Sequence, residues 1–61
     1  MKPKYKHNDK VVPLRDSFIY IIDDYYINED NEIIYIAHLN SSYKTVREFK
    51  EEDLTFAGFN Y

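Results

Sequence analysis

An all-β fold is predicted by three features of this 61-residue sequence. Apolar and polar positions alternate with a period of two through much of the chain, and β-branched and aromatic residues fill most of the apolar positions. Short runs of Asn, Asp and Ser separate the alternating stretches. The length supplies one small core. A chain of this size buries only about 60% of the surface its unfolded form exposes, so every apolar strand has to be used. With 44% hydrophobic residues, seven Tyr and four Phe, the composition belongs to a folding chain and not to a disordered one.

Each element follows from its residues. Residues 10–14 form a first short strand, and Pro13, which has no N–H to give a ladder, belongs at a strand end or an edge. Arg15, Asp16 and Ser17 make a turn. Residues 18–27 read as one long strand. Simple alternation puts Phe18, Tyr20, Ile22, Asp24 and Tyr26 on one face and Ile19, Ile21, Asp23, Tyr25 and Ile27 on the other. Both faces are mixed, which predicts a bend or bulge near Asp23 and Asp24 that re-registers the alternation. Asn28, Glu29, Asp30 and Asn31 form the clearest turn, joining the long strand to an antiparallel partner at residues 32–39. Asn40, Ser41 and Ser42 turn the chain into a strand at residues 43–49. Residues 50–53 form a polar helical turn and residues 54–57 a last short strand. A short amphipathic helix over residues 45–54, with Val46, Phe49 and Leu54 on one side, is the competing reading. The chain divides into a basic lead-in at residues 1–9, one β domain at residues 10–57 and a tail at residues 58–61.

The net charge of −3 conceals an asymmetry. Lys2, Lys4, Lys6, Lys10 and Arg15 make residues 1–15 basic, whereas Asp16, Asp23, Asp24, Glu29, Asp30 and Glu32 make residues 16–34 acidic with no base among them. A pI near 5.2 argues against a domain that binds nucleic acid nonspecifically over its whole surface. No cysteine is present, which excludes disulfides and thiolate metal sites. No apolar run approaches a membrane span, and the charged N-terminus has no apolar segment after it, so a cytoplasmic protein is expected. The abundance of Ile, Lys, Asn, Tyr and Phe, all with AT-rich codons, suits a low-GC bacterium or one of its phages or plasmids.

Catalytic patterns are sparse. His7 and His38 are expected to be a solvated residue and a partly exposed strand residue, because a metal site needs three or four converging ligands. Asp23 and Asp24 are adjacent in a strand and point to opposite faces unless a bulge intervenes, so they do not form a carboxylate pair. Glu29, Asp30, Asn31 and Glu32 lack the spacing and the glycine of a calcium loop. The single glycine, Gly58, excludes a glycine-rich phosphate loop. A glycosylation sequon at Asn40, Ser41 and Ser42 has no meaning in a chain that is not secreted. No enzyme, cofactor or metal is expected.

Five short strands, with a long bent hairpin in the middle and a helical turn before the last strand, resemble the Src-homology-3-like small β-barrel of small bacterial and phage proteins. Tyr5, Lys6, His7, Asn8, Asp9, Lys10, Val11 and Val12 resemble the basic, then Gly-Asp-Lys-Val opening of such barrels. Asn8 stands where glycine is usual, and Asn tolerates a left-handed backbone better than other non-glycine residues. Phe49, Lys50, Glu51, Glu52, Asp53 and Leu54 resemble the closing segment, in which acids on a helical turn precede a buried leucine. The resemblance implies a five-stranded small barrel with one short helical turn before the last strand. It implies no single activity, since such barrels include peptide binders, translation and chromatin modules and phage inhibitors of host enzymes. The tryptophan of the proline-motif binders is absent.

These features lead to a non-enzymatic binding module, a small phage or mobile-element regulator or inhibitor. It is expected to bind a host protein, such as a nucleic-acid enzyme with a basic groove, through an acidic, tyrosine-rich hairpin. Asp23, Asp24, Tyr25, Tyr26, Glu29, Asp30 and Tyr35 are the candidate contact residues, with Tyr as anchor and acid as steering charge. The alternative is a nucleic-acid-binding barrel that uses Lys2, Lys4, Lys6, Lys10 and Arg15, with exposed Tyr stacking on bases. A monomer or weak homodimer is expected. A third reading is a component of a larger assembly, joined by an exposed strand edge.

Overall fold

A computed structural model describes residues 2–57. It contains β1 (Lys10–Pro13), β2 (Tyr20–Ile27), β3 (Ile33–Leu39), β4 (Ser42–Lys50) and β5 (Leu54–Phe56), with a 3-10 turn (Glu51–Asp53) between β4 and β5. All pairings are antiparallel, and the strands lie in the order β4-β3-β2-β1-β5. Among the described residues no ladder joins the outer strands β4 and β5, so the sheet is not closed. The all-β class, the five strands and the turn before the last one agree with the sequence analysis; the short helix considered for residues 45–54 is not formed. Most of those residues continue β4, where Phe49 faces Tyr35 and Arg47 faces Ala37. The tail at residues 58–61 lies outside the described residues.

Local chemistry explains each boundary. Pro13 ends β1, and the next N–H, from Leu14, donates to the Asp53 carbonyl at 2.8 Å. The β2–β3 turn is built around Asn28, whose Oδ1 accepts the N–H groups of Asp30 (3.0 Å) and Glu32 (2.9 Å). Asn31 adopts φ 61°, the left-handed conformation such a hairpin requires of its last turn residue. Asn8 has φ 75°, a left-handed backbone that Asn adopts more readily than other non-glycine residues. Its turn is closed by the Asp9 carboxylate, which accepts the Lys6 N–H at 3.0 Å.

The core comprises Tyr5, Val11, Tyr20, Ile22, Ile33, Tyr35, Ala37 and Leu54, with Leu39 and Phe49 packed against it. Tyr5 belongs to the lead-in, yet it is only 2% exposed. Its ring meets Tyr35 edge-on at 5.3 Å, and its hydroxyl donates to the Leu54 carbonyl at 3.1 Å. One side chain thus touches β3 and β5, which β2 and β1 separate within the sheet. The sheet is therefore curled enough for these two strands to share a core residue. On the other side Tyr20 of β2 meets Phe49 of β4 at 5.0 Å.

A polar clamp holds the lead-in in place. The Tyr5 N–H donates to the Tyr35 hydroxyl at 3.0 Å, and that hydroxyl donates to Glu51 Oε2 at 2.6 Å. The same Glu51 oxygen accepts the Lys4 N–H at 2.9 Å. Burial, then the bond to the Glu51 carboxylate, pushes the Tyr35 phenol up to about 12. The lysines of the lead-in are exposed, but its backbone is tied to the core.

Candidate protein-binding surface

The β2–β3 hairpin is the region to which the sequence assigns binding, and its geometry starts at a bulge. Ile22 faces Ala37 and Asp24 faces Ile36, so Asp23 has no opposite residue on β3. This is the re-registration that the mixed faces of residues 18–27 predict. The extra residue turns its carboxylate onto β3, where His38 Nδ1 lies 2.8 Å from one oxygen and 2.9 Å from the other. The Asp23 carbonyl accepts from His7 Nδ1 at 3.0 Å. Two bonds further fasten the lead-in to β2, from the Asn8 N–H to the Ile22 carbonyl (2.8 Å) and from the Ile22 N–H to the Asp9 carbonyl (2.9 Å).

Beyond the bulge the environment of β2 changes. Tyr20 and Ile22 are buried, whereas Asp24, Tyr25, Tyr26 and Ile27 are all exposed. β1 reaches no further than Ile21 on β2, so the segment from Asp24 to Ile27 has β3 on one side and no strand on the other among the described residues. Tyr25 and Ile27 face the core residues Tyr35 and Ile33 across the ladder, and the Tyr25 ring lies 6.3 Å from the Tyr35 ring, yet both side chains stay exposed. Tyr26 lies on the opposite face, where its hydroxyl donates to Glu48 Oε1 at 2.7 Å, a bond that raises its pKa.

The seven candidate contact residues therefore separate into groups. Asp24, Tyr25, Tyr26, Glu29 and Asp30 are exposed on or at the tip of one hairpin. Asp23 is half-buried and its carboxylate is hydrogen-bonded to His38, which leaves it less open to a partner. Tyr35 does not belong with them. At 0% exposure it is a core residue, because β2 and β4 flank it and Tyr5 covers its ring. Tyr25 and Tyr26 are both exposed but point to opposite faces, as consecutive strand residues must. A flat partner surface therefore meets one of them and not both.

The electrostatics leave the hairpin tip as an open acidic feature. Among the described residues basic and acidic side chains meet where His38 is hydrogen-bonded to Asp23 and where Lys50 lies 3.4 Å from Glu32. Glu32 is held below the usual carboxylate range by the Asn28 amide and by Lys50, which is raised in turn. Asp24, Glu29 and Asp30 have no cationic partner among the described residues. The alternative cationic set is dispersed differently. Lys2, Lys4, Lys6, Lys10 and Arg15 are exposed, but Tyr5, the aromatic interleaved with the first three, is buried and presents no face to a base.

Sequence reasoning did not find the His38–Asp23 contact. Simple alternation already puts Asp23 on the face of Ile21, but only the register shows that Ile21 lies opposite His38. Among the described residues no three His, Cys, Asp or Glu converge as metal ligands, and no helix is long and apolar enough to cross a membrane. Open hollows occur among the described residues. One of about 210 Å³ is lined by Glu32, Ile33, Lys50, Glu51 and Glu52, and one of about 250 Å³ by Phe18 and Ile19 before β2 and by Leu39 and Asn40 at the end of β3. Neither is lined by a histidine. Comparison with protein-family models, with curated proteins and with solved structures gives no match.

Proposed function

We propose that this chain is a non-enzymatic binding module of the Src-homology-3-like small-barrel type, which docks a basic surface of another protein through its β2–β3 hairpin. The observation that carries the reading is the exposure of Tyr25, Tyr26 and Ile27 beside Asp24, Glu29 and Asp30, acids without a cationic partner among the described residues. Amphipathic rings with a polar rim make contact area at low entropic cost, and unpaired acids orient and accelerate the encounter with a cationic partner. A small regulator or inhibitor from a phage or other mobile element, acting in the bacterial cytoplasm on a host nucleic-acid enzyme, fits this surface and the amino-acid usage.

The test is capture by the tagged chain from a nuclease-treated lysate of a low-GC bacterium, followed by mass spectrometry. One protein recovered near stoichiometry, and lost with Asp24→Lys/Asp30→Lys while the circular-dichroism spectrum is unchanged, is the expected result. Retention of RNA or DNA in place of a protein, reversed by Lys4→Glu and Lys6→Glu, would transfer the function to the lead-in.

A further inference from the structure

The backbone of β2 beyond the bulge has its own chemistry. In an antiparallel pair, residues alternate between those that exchange N–H and C=O bonds with the neighbour and those whose N–H and C=O point away. The alternation here is fixed by two observations. The Asn28 N–H donates to the Glu32 carbonyl at 3.0 Å, so Asn28 and Glu32 are a bonded pair. Counting back along the register, Tyr26 with Ile34 and Asp24 with Ile36 are bonded pairs, while Ile27 with Ile33 and Tyr25 with Tyr35 are not. The second observation agrees. The Tyr25 N–H donates to the Asp24 carboxylate at 2.8 Å and so is turned away from β3. The N–H and C=O groups of Tyr25 and Ile27 thus line the open edge of β2.

The same edge is occupied on the other side of the bulge. The Ile22 N–H and C=O are taken by Asp9 and Asn8, and the Asp23 carbonyl by His7. After His7 no backbone of the described residues continues along β2. Asp24 fills part of the gap by bonding the Tyr25 N–H with its own carboxylate, which blunts the edge against indiscriminate pairing.

We propose that this edge accepts an extended, basic segment of a partner protein as an added strand, in line with residues 7–9. This rests on the binding role assigned to the hairpin above and specifies its mode. Charge selects the occupant. A second copy of β2 in this position would bring Asp24, Glu29 and Asp30 of both chains together, whereas a segment with Lys or Arg at alternate positions meets those acids. The added strand also resolves the division of the two tyrosines. Its side chains alternate between faces, so one set meets Tyr25 and Ile27 and the other meets Tyr26. A carbonyl of the incoming strand takes over the Tyr25 N–H and releases the Asp24 carboxylate to a cationic side chain.

The experiment uses a capped peptide of alternating Lys and Val, together with two derivatives N-methylated on one or the other set of alternate residues. Binding is followed through the amide resonances of the full chain. Tyr25 and Ile27 amides are expected to gain exchange protection. One N-methylated derivative should bind at least tenfold more weakly than the parent and the other like the parent, because only alternate N–H groups face β2. Ile27→Pro removes an outward N–H without a ladder bond and should weaken the parent peptide while circular dichroism stays unchanged. Should this variant not fold, the N-methylated pair decides alone. Equal binding of both derivatives, still abolished by Asp24→Lys/Asp30→Lys, overturns strand addition and leaves the acidic binding role standing. Peptide binding unaffected by those charge reversals, or none at all, overturns strand addition too; capture of a partner protein then shows whether the hairpin role survives. Dimerisation of the chain through the same amides would replace the basic segment with a second copy.

Discussion

The two halves of β2 contain the same kinds of residue and do opposite things. Before Asp23 the strand lies between β1 and β3, and Tyr20 and Ile22 are buried. After it the strand keeps only β3 among the described residues, and Tyr25, Tyr26 and Ile27 are exposed to between 42% and 49%. One extra residue and the end of a neighbouring strand make this difference, and hydrophobicity does not. Tyrosine serves as core where two strands and the lead-in enclose it, and as surface where one strand is missing.

The contrast is broken most severely from the covered side. Tyr35→Ala removes the ring that Tyr5 packs on, and such a truncation costs about 3–5 kcal/mol. Stability of about 0.05–0.15 kcal/mol per residue leaves little beyond that in a domain this small. The variant should be largely unfolded in a urea titration without denaturant, and a native-like midpoint would mean that the Tyr35 ring is not central to the core. Tyr35→Phe keeps the ring but leaves the Tyr5 N–H without its acceptor, at about 1–3 kcal/mol. The pH dependence sharpens this. The folded-state phenol is raised from 10 to about 12, so its contribution is complete below pH 10 and is lost as pH rises through about 12. The urea midpoints of the wild type and Tyr35→Phe should therefore converge across that window.

On the uncovered side Tyr25→Ala and Tyr26→Ala should each change stability by about 1 kcal/mol or less while weakening partner capture, the pattern of exposed anchors. Loss of folding in either would put that residue with the core group. The smallest effect lies at the hairpin tip. Asn31→Gly relieves a left-handed backbone and should raise the melting temperature by a few degrees, from a gain of about 0.5–1 kcal/mol, whereas Asn31→Ala should lower it.

Much of the fold was legible because it is local. Alternation marks strands, Asn28 to Asn31 carry the side chains that close a turn, Pro13 cannot extend a ladder, and the mixed faces of residues 18–27 require the bulge. The short helix considered for residues 45–54 shows the limit of such signals: Val46 and Phe49 suit a helical face or a strand equally, and pairing with His38 and Tyr35 decides for the strand. Of the candidate site, the acids and the exposure of Tyr25 and Tyr26 were readable, while the burial of Tyr35 and the engagement of Asp23 by His38 were not. Both depend on which residue lies opposite in the ladder.

The sequence by itself determined five strands, their turns, the bulge and the acidic character of the hairpin, since each follows from neighbours in the chain. Only the tertiary structure decided that Tyr5 enters the core, that Glu51 clamps the lead-in through Tyr35, and that β2 outruns β1 and leaves an open edge. Coverage is a property of what packs from a distance, and a period-two pattern says which side chains share a face without saying whether anything lies over it.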